Sequence, residues 1–187
     1  MAIVLDGTNG VTTNSGTLIS ATTIGVGGAT PSTSGAGITF PATQSASTDA
    51  NTLDDYEEGT WTVAITTGGG SVTVDSTNNV GRYTKIGNRI LFSFRVDVSS
   101  VSNPSGTLDV SLPFASSNLS PAPSNRSAAS LFIYDSVATN IVNFTSLILN
   151  NSSNVRVLLG TSTTGGDAGG QMKAGTEVHI AGQYIAA

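Results

Sequence analysis

Arg89-Ile90-Leu91-Phe92-Ser93-Phe94-Arg95-Val96-Asp97-Val98 decides the fold class. Ile90, Phe92, Phe94, Val96 and Val98 fall on one side of an extended chain, and Ser93, Arg95 and Asp97 on the other. A period of two marks a strand with one face on a core and the other toward water. Just upstream, Gly81-Arg82-Tyr83-Thr84-Lys85-Ile86 runs into Gly87-Asn88. A Gly-Asn pair between two strand-like runs supplies the positive φ of a tight turn. Residues 81–98 are therefore predicted to form a hairpin.

The same logic extends in both directions. Trp61-Thr62-Val63-Ala64-Ile65-Thr66 and Val72-Thr73-Val74 flank Gly68-Gly69-Gly70, which reads as a turn. Asn103-Pro104-Ser105-Gly106 reads as another, after which Leu108, Val110 and Leu112 alternate with Asp109 and Ser111. Leu131-Phe132-Ile133-Tyr134, the stretch 141–149, and Val155, Val157 and Leu159 around Arg156 continue the series. Val178, Ile180 and Tyr184 alternate with Glu177, His179 and Gln183 in the last strand. Many short strands spaced by turn signals, with no helical period, predict an all-β fold. The expected architecture over 53–187 is an antiparallel, jelly-roll-like β-sandwich.

Residues 1–52 have another texture. Leu5, Val11, Leu18 and Ile24 are thinly spread among Gly, Ser, Thr and Asn. That spacing is not helical, and it holds too little apolar surface to close a core. The segment is expected to be an extended arm that attaches to, or intertwines with, other chains.

Composition narrows the function. Charged residues make up 10% of the chain, against about 25% in an average protein, while hydrophobic residues reach 38%. A core is possible, and the surface must be largely hydroxyl and amide groups. The net charge is −5, and the seven Lys and Arg are dispersed along the chain. Gripping a phosphate backbone needs grouped cations, so nucleic acid is not an expected partner. There is no cysteine, which excludes disulfides and thiolate metal sites. The apolar runs are too short for a membrane-spanning helix. The first residues lack a basic stretch followed by an apolar one, so synthesis and assembly in a cytoplasm are expected.

No catalytic constellation stands out. His179 is the single histidine, and no Gly-x-Ser-x-Gly elbow exists, so a nucleophilic triad and a histidine metal site are not expected. Asp75, Asp97, Asp109, Asp135 and Asp167 are scattered singly, unlike the paired carboxylates of a glycosidase. Gly25-Val26-Gly27-Gly28 and Gly165-Gly166-Asp167-Ala168-Gly169-Gly170 lack the Lys-Ser/Thr of a phosphate loop and read as loops. The acidic run Asp49, Asp54, Asp55, Glu57 and Glu58 lacks calcium-loop spacing. It is expected to be a solvated connector, anchored by Tyr56 and Trp61, with carboxylates facing outward to a cation on a neighbouring chain. No cofactor is expected. Host contact, if the chain makes one, is assigned to loops 99–106, 116–128 and 160–175.

One long string ties these readings together. Phe40-Pro41-Ala42-Thr43-Gln44 is followed by Asp49-Ala50-Asn51-Thr52-Leu53-Asp54-Asp55-Tyr56-Glu57-Glu58-Gly59-Thr60-Trp61. Then come Gly81-Arg82-Tyr83-Thr84-Lys85-Ile86-Gly87 and Ser111-Leu112-Pro113-Phe114. In order and spacing, residues 37–115 resemble a family of bacteriophage virion structural, tail-fibre-like proteins of the marine-phage type. One departure is Val63, where that family usually carries Pro after the Trp-Thr pair; from Ser116 onward the chain matches only in texture. The resemblance implies a virion location and a trimer; with the lack of a catalytic constellation and the thin apolar content of the arm, the expectation is a non-enzymatic homotrimer whose arm binds other virion proteins. It leaves open a fibre-tip role in binding a host surface glycan. Phe40, Leu53, Asp54, Asp55, Tyr56, Glu57, Glu58 and Trp61 become the expected arm and connector contacts.

Overall fold

A computed structural model describes residues 23–44, 46–49, 51–121, 126–137, 143–160 and 165–187. Its strands, in chain order, are β1 (Thr23–Gly25), β2 (Gly37–Thr39), β3 (Tyr56–Thr62), β4 (Ile65–Val74), β5 (Val80–Ile86) and β6 (Arg89–Ser111). They continue with β7 (Ser130–Tyr134), β8 (Phe144–Ile148), β9 (Asn154–Gly160), β10 (Gly165–Asp167) and β11 (Glu177–Ile185). The one helical element among the described residues is a 3-10 turn, Gly169–Gln171. The chain divides into two units, Met1–Ser45 and Ala46–Ala187.

In the first unit β1 and β2 pair in parallel, from Thr23↔Gly37 to Gly25↔Thr39. The Thr23 hydroxyl donates to the Ser32 carbonyl at 2.7 Å. Ile24 and Ile38 remain 39% and 59% exposed. Leu5, Val11 and Leu18 of the expected arm lie outside the described residues.

The second unit is an antiparallel sandwich organised by β6, whose alternation folds as read. Ile90 and Val96 are fully buried, and Phe92, Phe94 and Val98 are nearly so, while the intervening residues face out. At 23 residues, β6 is long enough to serve two sheets. Its first half pairs with β5 on one side and β11 on the other, giving the order β3-β5-β6-β11-β7. Its second half pairs with β4 and β9, giving β4-β6-β9-β8, with β10 beside the far end of β9. The predicted 81–98 hairpin closes at Gly87-Asn88, with Gly87 at φ +57° and Ile86 opposite Arg89. Val63, Leu108, Val110, Ile148, Val155, Val157 and Val178 fill the interior between the sheets, all at 0% exposure.

Four expectations need correction. Gly68-Gly69-Gly70 and Asn103–Gly106 are not turns, and 99–106 is not a loop. β4 and β6 run through both patches and pair with each other, Gly69 opposite Ser105. The register slips on each side of that pair, and Gly70, Asn103 and Gly106 absorb the slip with φ of +69°, +44° and +70°. Turn-prone residues set against one another make bulges in a ladder, since each strand already has a long partner to follow. Second, the run 61–66 is broken at Val63-Ala64, where the chain crosses between sheets. Ala64 is pinned there by Ser111, whose hydroxyl takes the Ala64 N–H at 2.9 Å. Third, the acidic connector is already sheet from Tyr56 onward, as the edge strand β3. Fourth, 165–171 is β10 and the 3-10 turn rather than a loop. In 116–128, Ser116 and Ser127 bridge to Ala186 and Ile148, so both ends of that loop are strapped to the sandwich. Residues 122–125, 138–142 and 161–164, which fall in or beside the expected strands and loops, lie outside the described residues.

Tyr184 shows how the interior is held. It is 3% exposed; its hydroxyl donates to the Phe114 carbonyl at 2.8 Å and accepts from the Phe114 N–H at 3.2 Å. Burial pushes its pKa up to about 12 from 10.0. Tyr83 is also raised to about 12, by burial first and then by its bond to Glu57. The unfolded chain therefore loses these protons near pH 10 while the folded chain keeps them. Stability should be intact below pH 10 and fall as pH rises toward 12. Tyr184→Phe should cost about 1 kcal/mol at neutral pH yet flatten that alkaline decline. Urea midpoints across this range check it; an unchanged alkaline slope in the variant would count against the assignment.

Candidate functional site

The signature strings meet in space. β3 and β5 are antiparallel neighbours, with Trp61 opposite Gly81 and Gly59 opposite Tyr83. Each ring lies over the glycine facing it. A Cβ on Gly81 would sit 2.4 Å from the Trp61 ring, and one on Gly59 2.4 Å from the Tyr83 hydroxyl. The two Gly–aromatic pairs thus explain why glycine occurs inside these strands, where it otherwise weakens pairing. Trp61 packs edge-on to Phe94 at 5.9 Å and to Phe92 at 6.4 Å, and its Nε1–H donates to the Ser111 carbonyl at 3.3 Å. Tyr83 stands edge-on to Phe114 at 5.0 Å and donates its hydroxyl proton to Glu57.

Lys85 is the next inward residue of β5. Its Nζ lies 2.6 Å from Asp55, with side-chain exposures of 12% and 6%, and 5.4 Å from the centre of the Phe114 ring. One cluster therefore gathers Asp55, Glu57, Gly59 and Trp61 from the first string, Gly81, Tyr83 and Lys85 from the second, and Phe114 from the third. It is a packing lock. It joins an ion pair to an aromatic stack and brings no activated nucleophile to a base.

The expected contact residues separate. Asp55, Glu57 and Trp61 enter the lock. Asp55 corrects the outward-facing expectation, because at 4% exposure it is sealed against a cation of its own chain. Asp54 accepts the Ser47 N–H at 2.7 Å. Tyr56 and Glu58 face outward and bond to each other, a bond that raises the Tyr56 pKa. Leu53 is 53% exposed, and Phe40 is half-buried in the first unit. Among the described residues, no three His, Cys, Asp or Glu side chains converge to hold a metal, and no helix is long and apolar enough to cross a membrane.

A second feature is the outer face of the sheet β3-β5-β6-β11-β7. The pairing registers put Tyr56, Val80, Ile86, Leu91, Phe132 and Tyr134 on it, and all six are 42–59% exposed. Between Val80 and Phe132 runs a groove of about 500 Å3 over the small residues Ser93, Ala181 and Ser130. Its charges are compensated in part. Arg95 bridges Asp97 at 3.0 Å and Glu177 at 3.1 Å, and Arg89 donates to Gln183 at 3.0 Å. His179 lies 3.1 Å from Glu177 and edge-on to Phe132 at 5.6 Å. The bonds from His179 and then Arg95 hold the Glu177 carboxyl below its usual value. The sequence reading missed this face. Its signal was there in the apolar residues at the outward phase of their strands: Leu91 between Ile90 and Phe92, and Phe132 between Leu131 and Ile133.

No family model matches the chain, and no curated protein matches it. Among solved structures, the crystal structure of the Dettilon tailspike protein shares its fold, with a TM-score of 0.56 at 23% identity. The match covers 70% of this chain and 24% of the tailspike. The molecule is thus an all-β sandwich of a kind found inside a phage tailspike. The likeness is one of fold, and it spans about a quarter of that longer protein.

Proposed function

We propose that this chain is a non-enzymatic structural protein of a bacteriophage particle. It serves as a fibre or surface-decoration subunit, assembles as a homotrimer and is attached to the particle through its N-terminal unit. The observation that carries the reading is the fold shared with a segment of a tailspike over 70% of the chain. Two features support it. Asp55, Glu57, Gly59, Trp61, Gly81, Tyr83, Lys85 and Phe114 of the motif strings build one lock, so the identity of these residues is accounted for by packing without any reaction. With only 10% of the whole chain charged, the surface is largely hydroxyl and amide groups, which suits a part that must be rigid and inert outside a cell. Rigidity of that kind rests on buried interfaces and slow unfolding.

Native mass spectrometry of the full chain at micromolar concentration should show a trimer; a stable monomer would overturn the assembly claim. An antibody against the sandwich should label an appendage or shell of particles from the phage that encodes the chain. Deleting residues 1–45 should remove that label. Intact particles without label would overturn the virion claim.

A further inference from the structure

We propose that the outer face of the sheet β3-β5-β6-β11-β7 is the surface on which other copies of this chain seat. The inference rests on the oligomeric reading above and specifies which face carries it.

Area is the first argument. Tyr56, Val80, Ile86, Leu91, Phe132 and Tyr134 expose 42–59% of their surface on one side of one sheet. Together that is on the order of 600 Å2 of one sheet face, close to the roughly 800 Å2 per partner of a standard interface. More than half of the large apolar residues exposed among the described residues are on this face, so the exposure is not scattered.

Charge is the second argument, and it selects the occupant. The chain carries a net −5, so two copies repel unless they meet where that charge is absent. On the outward positions of this sheet Arg82, Arg89 and Arg95 balance Glu58, Asp97 and Glu177. Most of these charges are already bonded within the chain, through the Arg95 bridges to Asp97 and Glu177 and the Arg89 bond to Gln183. The face carries no net charge and Arg95 is already paired with Asp97 and Glu177, so two copies meet there without net repulsion, and Arg82, Arg89 and Glu58 are left to pair across the seam, since an unpaired buried ion is the costliest outcome at an interface. Three such faces turned toward one axis would close the assembly and leave the groove above Ser93 and Ala181 to receive a neighbour's side chain.

The test compares the full-length chain with Leu91→Asp, Phe132→Asp and the groove-filling Ala181→Trp. Thr145→Asp, an exposed position on the other sheet, is the control. All four side chains point outward, and circular dichroism with a urea midpoint confirms folding. The expected result is assembly weakened roughly tenfold or more by each of the three face variants and unaffected by Thr145→Asp. A trimeric parent whose face variants stay trimeric overturns this inference and leaves the oligomeric reading standing. A monomeric parent overturns both. Face variants that stay trimeric but lose adsorption to host cells would assign the groove to a host ligand and overturn the inference.

Discussion

Lys85→Met should destabilise the sandwich by about 3 kcal/mol or more, and adding Asp55→Asn should restore most of the loss. The reason is the environment of Asp55. It is 4% exposed, and Lys85 is a cation 2.6 Å away. Removing the amine leaves a carboxylate shut away from water with its charge uncompensated. Removing both charges leaves a neutral pair of similar volume. A buried ion pair often adds little over apolar packing, whereas half of one is costly. Lys85 also lies over the Phe114 ring, so the double variant should fall somewhat short of the parent. Urea unfolding of the four chains at neutral pH forms the double-mutant cycle. A Lys85→Met midpoint equal to the parent's would mean that the pair is solvated after all.

Gly81→Ala is expected to cost about 2 kcal/mol, within the range for overpacking a filled interior. The added methyl would lie 2.4–2.6 Å from three atoms of the Trp61 ring. That ring cannot swing away freely, being packed by Tyr83, Phe92 and Phe94 and tied to the Ser111 carbonyl. Gly170→Ala is the control. Its methyl would meet nothing nearer than the Pro104 carbonyl at 3.6 Å, so a change within about 0.5 kcal/mol is expected. Thermal or urea unfolding of both variants settles it. Equal effects would show that loss of glycine itself, rather than contact with the ring, sets the cost.

Part of the site was legible beforehand. Trp61 and Tyr56 were picked out as anchors on residue type alone; the structure puts Trp61 in the lock and Tyr56 on the outer face. Lys85 was not picked out, because a lysine in an alternating strand is expected to point to water, and this one stands on the inward phase of β5. Only the arrival of Asp55 at the end of β3 makes that tolerable. The outer face was missed for the opposite reason. Pattern reading assigns apolar residues to cores, and Leu91 between buried Ile90 and Phe92, or Phe132 between half-buried Leu131 and Ile133, is read as part of the same run.

Alternation, turn residues and the thin apolar content of the first fifty positions sufficed, taken from the chain alone, to establish an all-β molecule, the 81–98 hairpin and most strand positions. These are local matters, governed by which side of an extended backbone each residue faces and by the φ angles that Gly and Asn permit. Which strand lies beside which was decided only by the tertiary structure. The Gly68–Gly70 and Asn103–Gly106 patches look like turns in isolation and become bulges because β4 and β6 face each other along their length. The ion pair of Asp55 with Lys85, the rings of Trp61 and Tyr83 over their glycines, and the apolar outer face arise in the same way. Each joins residues far apart in the chain, and pairing register is a property of the closed sheet rather than of any one of its strands.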